Sequence, residues 1–364
     1  MSLVTAVLLA APLALLQPAH TSCDLTRRGT RTSSSGTHVD ADDNGGSSLI
    51  TFSHSERGRC TSATIIGRLR YSDAEDDIIE MPFGSHAMFS EQTENDLREL
   101  TITRGQDGAI VHQYRHNGAA AAFDDDARRW LAGFLPAILM DASINVVPRV
   151  ARWRAQGGVD NVLAHIATMS SSGAKRSHYE ALIAGERLSN TDLDKVVRQA
   201  GQNIESSGDL RSVLEKAVPT QRGGLANDRD VLLSVMRAAR SIQSSGDKAG
   251  LLQQRAQRYL SANDEELSRA FFQVALTIPS SGDLRSVLQA AVPLVANSAE
   301  QTLMLIDASR NIPSSGDRAD VLVSLVGSGA LKSQRVRDAF FDVAATIPSN
   351  GDRSRVLDAA GRRQ

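Results

Sequence analysis

Apolar and polar positions along the chain change period once. Before about residue 118 they alternate in short runs bounded by turn residues, the pattern of half-buried strands. The spacing predicts strands at Ser48–Phe52, Ala63–Tyr71, Ile78–Met81, His86–Ser90 and Arg98–Arg104. A turn over Gly105-Gln106-Asp107-Gly108 then returns Ala109–Arg115 as a hairpin partner. From Asp124 onward the period is helical: Ala127, Trp130, Leu131, Phe134 and Ile138 share one helix face. Asp124, Asp125 and Asp126 supply a cap and favourable charge at the start of that helix. A second helix is expected from Pro148 to Gln156, ended by Gly157-Gly158.

Superposed on the helical period is a longer one. Ser-Ser-Gly-Asp or a close variant recurs with its glycine at Gly173, Gly208, Gly246, Gly282, Gly316 and Gly351, intervals of 35, 38, 36, 34 and 35 residues. A period in this range marks a repeat architecture. Met169, Ile204, Ile242, Ile278, Ile312 and Ile347 lie four residues before each glycine. Asp209, Asp247, Asp283, Asp317 and Asp352 follow it directly, with Ala174 in the first repeat. Five and six residues after it come Val213-Leu214, Leu251-Leu252, Val287-Leu288, Val321-Leu322 and Val356-Leu357. The expected corner has the apolar residue closing one helix, the glycine in the left-handed conformation, the aspartate capping the next helix and the Val-Leu pair burying it. A helix pair of this size cannot bury its apolar faces alone, so neighbours must stack. Phe271-Phe272 and Phe340-Phe341 occupy equivalent positions and are read as core with one ring of each pair partly exposed.

The expected fold is α+β: a small antiparallel β-rich N-terminal domain followed by an α-helical repeat array, an α-solenoid of HEAT- or TPR-like helix pairs. The expected organisation is a signal peptide over 1–21, a flexible lead-in over 22–47, the β-rich domain over 48–118, a non-consensus helical start of the array over 119–170 and the repeats over 171–364.

Composition changes this picture little. Aromatic content of 4% suits close-packed helices more than a large sandwich, and a net charge of −2 favours neither nucleic acid nor an anionic membrane as partner. The uncharged apolar run Met1–Leu16 has the length of a leader rather than of a membrane span, with Ala19 as its expected last residue. Export follows, to the periplasm or outside the cell, with no membrane span after leader removal. Cys23 and Cys60 are the only cysteines. They are read as a possible disulfide, with free thiols or a lipid anchor at Cys23 as alternatives.

Candidate chemistry is sparse. Asp40-x-Asp42-x-Asn44-Gly45 begins like a calcium loop but places Thr51 where a bidentate glutamate belongs, and reads as a solvated acidic turn. His112 and His116 lie on a strand, read as exposed, without a carboxylate between them to complete a metal site. No Gly-x-Ser-x-Gly, Walker or dinucleotide motif is present. No catalytic residue, cofactor or metal site is assigned.

Three stretches carry a family resemblance: Phe123–Leu131, Val150-Ala151-Arg152 with Gly157–Leu163, and the Ile-x-Ser-Ser-Gly-Asp repeats. From about Cys60 onward the chain resembles the extracytoplasmic portion of bacterial membrane metallopeptidase receptors similar to β-lactam sensor-transducers, and related exported proteins. It lacks their His-Glu-x-x-His, so the resemblance implies an envelope-located sensing or interaction module and no peptidase activity. The function expected is binding or scaffolding of a protein or peptide partner. A structural, self-associating envelope component is the alternative, and an enzyme with a site at the sheet–array junction a third.

Overall fold

The computed structural model describes residues 32–34, 49–56, 58–218, 225–261 and 264–361, with the side chains of 32–34, 54–56 and 225–227 outside that description. The expected leader, the acidic turn at Asp40–Gly45 and Cys23 fall outside the described residues. The chain divides into two compact units between Ala142 and Ser143.

The first unit is an antiparallel sheet with one helix on it. Strands β1 (Thr32–Ser34), β2 (Leu49–Glu56), β3 (Arg59–Ile66), β6 (His86–Gln92), β7 (Leu97–Arg104), β8 (Ile110–His116) and β9 (Ala119–Ala121) form one sheet in the order β1-β2-β3-β6-β7-β8-β9. The short strands β4 (Arg70–Tyr71) and β5 (Ile78–Glu80) pair separately. The run expected as one strand from Ala63 to Tyr71 is broken at Gly67, whose φ of 92° only glycine adopts readily. A side chain there would also collide with Ser85. β1 lies within the stretch read as a lead-in and pairs with β2.

Alternation gives the sheet a closed face and an open one. Ala63, Ile65, Ala87, Phe89, Leu100, Ile102 and Tyr114 are buried on one side. Helix α1 (Asp125–Asp141) covers that side with Ala127, Leu131, Phe134, Leu135 and Ile138. Phe89 and Phe134 meet edge to face with centroids 6.0 Å apart, a preferred aromatic geometry. Asp124 caps α1 as expected, its carboxylate accepting the N–H groups of Asp126 and Ala127. α1 thus belongs to the sheet unit, not to a helical stretch running from 119 to 170. Its apolar stripe is matched by the sheet face, so burial there uses the strongest available term, about 1.5–3 kcal/mol for each large side chain. Cys60 is buried and disulfide-bonded.

The second unit is entirely helical among its described residues: α2 (Val146–Ala167), α3 (Ser172–Ala184), α4 (Asn190–Asn203), α5 (Ser207–Ala217), α6 (Leu225–Ala239), α7 (Ser245–Leu260), α8 (Glu265–Ala275), α9 (Ser281–Val295), α10 (Ala299–Ser309), α11 (Ser315–Gly327), α12 (Gln334–Ala345) and α13 (Asn350–Gly361). The helix is interrupted at Gly157-Gly158, where Gly158 has φ 69°, and Asn161 Nδ2 donates to the freed carbonyl of Trp153 at 2.8 Å. Odd-numbered helices from α3 to α13 pack successively on one another, as do even-numbered helices from α4 to α12, and each row packs on the other. This two-row stack is the expected array of helix pairs.

The interior follows the repeat. Met169 and the isoleucines at 204, 242, 278, 312 and 347 are all buried. So are the apolar pairs from Val213-Leu214 to Val321-Leu322. In the last described helix Val356 is buried while Leu357 is 43% exposed, because no further odd helix packs on it among the described residues. Phe271 and Phe272 are both buried; Phe340 is buried and Phe341 half-buried, so the expectation of one partly exposed ring holds only for the second pair.

The corner differs from the expected one. The capping residue is the first serine of each motif: the side chains of Ser171, Ser206, Ser244, Ser280 and Ser314 accept the N–H three residues on. Ser349 does the same for Asp352 at 3.3 Å. The helices therefore start one residue before the glycine. Gly173, Gly208, Gly246, Gly282, Gly316 and Gly351 lie inside the first turn, and none has positive φ. The aspartates sit at the third helical position, where their charge suits the positive helix end. The preference of serine for the cap explains the shift: its short side chain reaches the third N–H while its own backbone stays extended.

Candidate binding face of the helical array

The two rows of helices present different surfaces, and the difference begins at the corners. The second serine of the motif reaches into the next repeat. Ser172 Oγ accepts the N–H groups of Glu205 and Ser206, both at 3.3 Å. Ser207 Oγ accepts those of Gln243 and Ser244, both at 3.1 Å. Ser281 Oγ accepts that of Ser314 at 3.3 Å. One serine thus caps its own helix, and its neighbour satisfies the backbone entering the next.

The aspartates make a parallel ladder. Arg176 Nη1 lies 3.3 Å from Asp209, Arg211 Nη1 3.6 Å from Asp247, and Arg285 Nη1 3.3 Å from Asp317. Each arginine stands three residues after its own glycine and meets the aspartate of the following repeat. At the equivalent position of the third repeat stands Ala249, so Asp283 receives no such partner. Asp320 extends the ladder by accepting from both Arg285 at 3.2 Å and Arg355 at 2.7 Å. Ser212 Oγ donates to Glu180 at 2.6 Å, again across a repeat boundary. The charges of the odd-helix surface are thus largely engaged with one another.

The even-helix surface carries a cavity of about 290 Å³ between α6 and α8. Leu233, Met236 and Ala270 supply its apolar lining. Arg237, Arg240, Arg269, Glu266 and Gln273 supply the polar part. The lone carboxylate of that rim, Glu266, is engaged by Arg229, and Arg269 is engaged by Glu265. Among the described residues Arg240 Nη2 donates only to the neutral amide of Gln273, at 2.8 Å. Arg237 is exposed and has no hydrogen-bond or ion-pair partner among the described residues. Two arginines therefore stand at a hollow of mixed polar and apolar lining without a carboxylate of their own among the described residues.

In the sheet unit His112 is half-buried, while His116, on the same side of the strand, keeps 41% of its side chain exposed. His112 stacks on Phe123 with centroids 4.3 Å apart, and Arg128 lies over the other ring. Burial holds His112 below its ordinary value of 6.5, and its buried Nε2 has no hydrogen-bond partner. His116 Nε2 donates to Asp96 Oδ1 at 2.5 Å, which holds the Asp96 carboxyl below its ordinary 3.8; Arg98 Nε donates to the other oxygen at 2.9 Å. Trp130 Nε1 donates to Glu91 at 2.6 Å, and its ring meets Tyr114 and Phe134 at 5.9 and 5.1 Å. This side of the sheet is filled by rings. A His–Asp pair is present, and no hydroxyl or thiol is hydrogen-bonded to His116 among the described residues.

The array has its own buried polar pair. His178 Nδ1 donates to the carbonyl of Ala174 at 2.7 Å, so its Nε2 accepts from Arg149 Nη1 at 3.1 Å, which fixes a single neutral tautomer. Trp153 stacks on His165 at 4.3 Å and on His178 at 5.6 Å. Among the described residues no three His, Cys, Asp or Glu side chains are grouped to hold a metal, and no single helix is long and apolar enough to cross a membrane.

Sequence reasoning located the corners but not the hollow. The arginines three residues after Gly173, Gly208 and Gly282 are visible once the repeats are aligned. Arg237 and Arg240 carry no such periodic signal, because they are particular to one repeat. Compared with protein-family models, curated proteins and solved structures, the chain matches none.

Proposed function

We propose that the protein is an extracytoplasmic binding module whose helical array takes a polypeptide partner on the face formed by the even-numbered helices. The hollow between α6 and α8 carries this reading: an apolar lining of Leu233, Met236 and Ala270 beside two arginines without carboxylate partners. Binding sites are concave and combine apolar contact with oriented polar groups; in this one the polar groups predominate, which suits a charged segment. Cross-repeat ion pairs occur on both faces, Arg176–Asp209 among the odd helices and Lys195–Asp160 and Arg335–Glu300 among the even ones; what sets the even face apart is the hollow with its two arginines. Location outside the cytoplasm is supported by the uncharged apolar run at Met1–Leu16 and by the resemblance to receptor ectodomains.

Site-specific photo-crosslinking tests the choice of face. A photoreactive residue replacing Gln273 on α8 is expected to give a defined adduct in an envelope extract, while one replacing the exposed Gln253 on α7 gives none. Adducts from Gln253 and none from Gln273 refute the assignment.

A further inference from the structure

The balance of charge around the α6–α8 hollow identifies the chemistry of its occupant, on the premise that this face binds a polypeptide. The rim brings three guanidinium groups and one carboxylate together, and the carboxylate is already held by Arg229 outside the rim. Arg269 is likewise spent on Glu265. What is left toward solvent is the charge of Arg237, in the last turn of α6, and of Arg240, in the turn that follows the helix, both of which line the hollow. Beside them Leu233 and Met236 are buried but border the hollow, with Ala270 opposite on α8. A guanidinium seeks a planar pair of acceptor oxygens, and the apolar part of the lining, Leu233, Met236 and Ala270, offers contact to an aliphatic side chain.

We infer that the hollow between α6 and α8 is the recognition site for an acidic segment of a separate polypeptide, with an aliphatic side chain seated against Leu233, Met236 and Ala270 and a flanking carboxylate bound by Arg237 and Arg240. Neutral partners are discriminated against because binding them would desolvate two arginines without giving them an acceptor. The interaction weakens with salt, since both guanidinium groups are exposed.

The test is fluorescence anisotropy of the full chain with a short labelled peptide of alternating glutamate and leucine. A second peptide carries glutamine in place of glutamate. The glutamate peptide is expected to bind, and the glutamine analogue about ten-fold or more weakly, the loss given by one charge-assisted contact. The double variant Arg237→Ala with Arg240→Ala is expected to lose a similar factor while keeping its melting temperature. Arg310→Ala, at the position equivalent to Arg240 two repeats on, is expected to bind as the parent does. Failure to bind the glutamate peptide, equal binding of the two peptides, or parent-like binding by the double variant overturns the inference. So does a concentration-dependent mass in light scattering of the chain alone that the double variant abolishes, which assigns the hollow to a second copy. Crosslinks from Gln273 to a partner lacking acidic segments would leave the even face as the binding face and remove only the acidic occupant.

Discussion

Ser207 and Ser244 stand in different repeats, and the side-chain oxygen of the first accepts the backbone N–H of the second at 3.1 Å. Gln243 donates to the same oxygen. Ser207→Ala removes the acceptor for two N–H groups at once and is expected to cost about 1 kcal/mol, more than Ser281→Ala, which removes one. Because the lost bonds join neighbours, the denaturant transition should also broaden as coupling between repeats falls. Urea titration followed by circular dichroism measures both.

Ser280 and Asp283 separate two explanations of the repeated motif. Ser280 caps α9, whereas Asp283 sits at the third helical position and meets no arginine ladder partner. Ser280→Ala is expected to cost about 1 kcal/mol as a lost cap. Asp283→Ala should cost only a few tenths, the value of a charge near a helix start. Equal losses at the two positions would return the capping role to the aspartate.

Two glycines in helical segments should respond oppositely. Gly282 has no positive φ, and an added Cβ there meets open space. Gly282→Ala is expected to stabilise by about 0.5 kcal/mol, by restricting the unfolded chain. Gly158, at φ 69°, holds the break in α2. Gly158→Ala is expected to cost about 1 kcal/mol or more, as the left-handed region resists a side chain. Thermal melts of the two variants are the comparison.

His112 gives the sheet unit a dependence on pH. Burial holds its folded value below the ordinary 6.5, so below pH 6.5 the unfolded chain binds a proton that the folded one refuses. Stability therefore falls as pH is lowered from 6.5 toward the depressed folded value. His112→Phe keeps a ring against Phe123 and removes the buried nitrogen without a partner. The variant is expected to melt at the parental temperature or above at pH 7.5, and its advantage should grow by pH 5.5. An advantage that shrinks on acidification would show that the histidine is stabilised as the cation.

The strand hairpin at Arg98–Arg104 and Ala109–Arg115 was legible because alternation and a Gly-bounded turn coincide there. The helix rows were legible because Ile204 and its equivalents recur with their serines. The placement of α1 was not. Its apolar stripe at Ala127, Leu131, Phe134 and Ile138 states that a face is buried but not whether a sheet or a helix covers it. The corner was misread for a related reason. Glycine followed by aspartate suits both a left-handed stop with a cap and the second and third positions of a helix, and only the extended backbone at Ser206 or Ser280 decides. The hollow at Arg237 and Arg240 depends on which carboxylates are already engaged, which no spacing along the chain records.

The two tryptophans of the chain fall one to each compact unit. Trp130 donates to Glu91 beneath α1, and Trp153 lies against two imidazoles in the array. Replacing either by phenylalanine leaves the protein with a single indole emitter housed in one unit. The sheet and the array can then be followed optically, one at a time, in the intact chain, with Trp153 reporting when its stacked neighbours His165 and His178 separate from it.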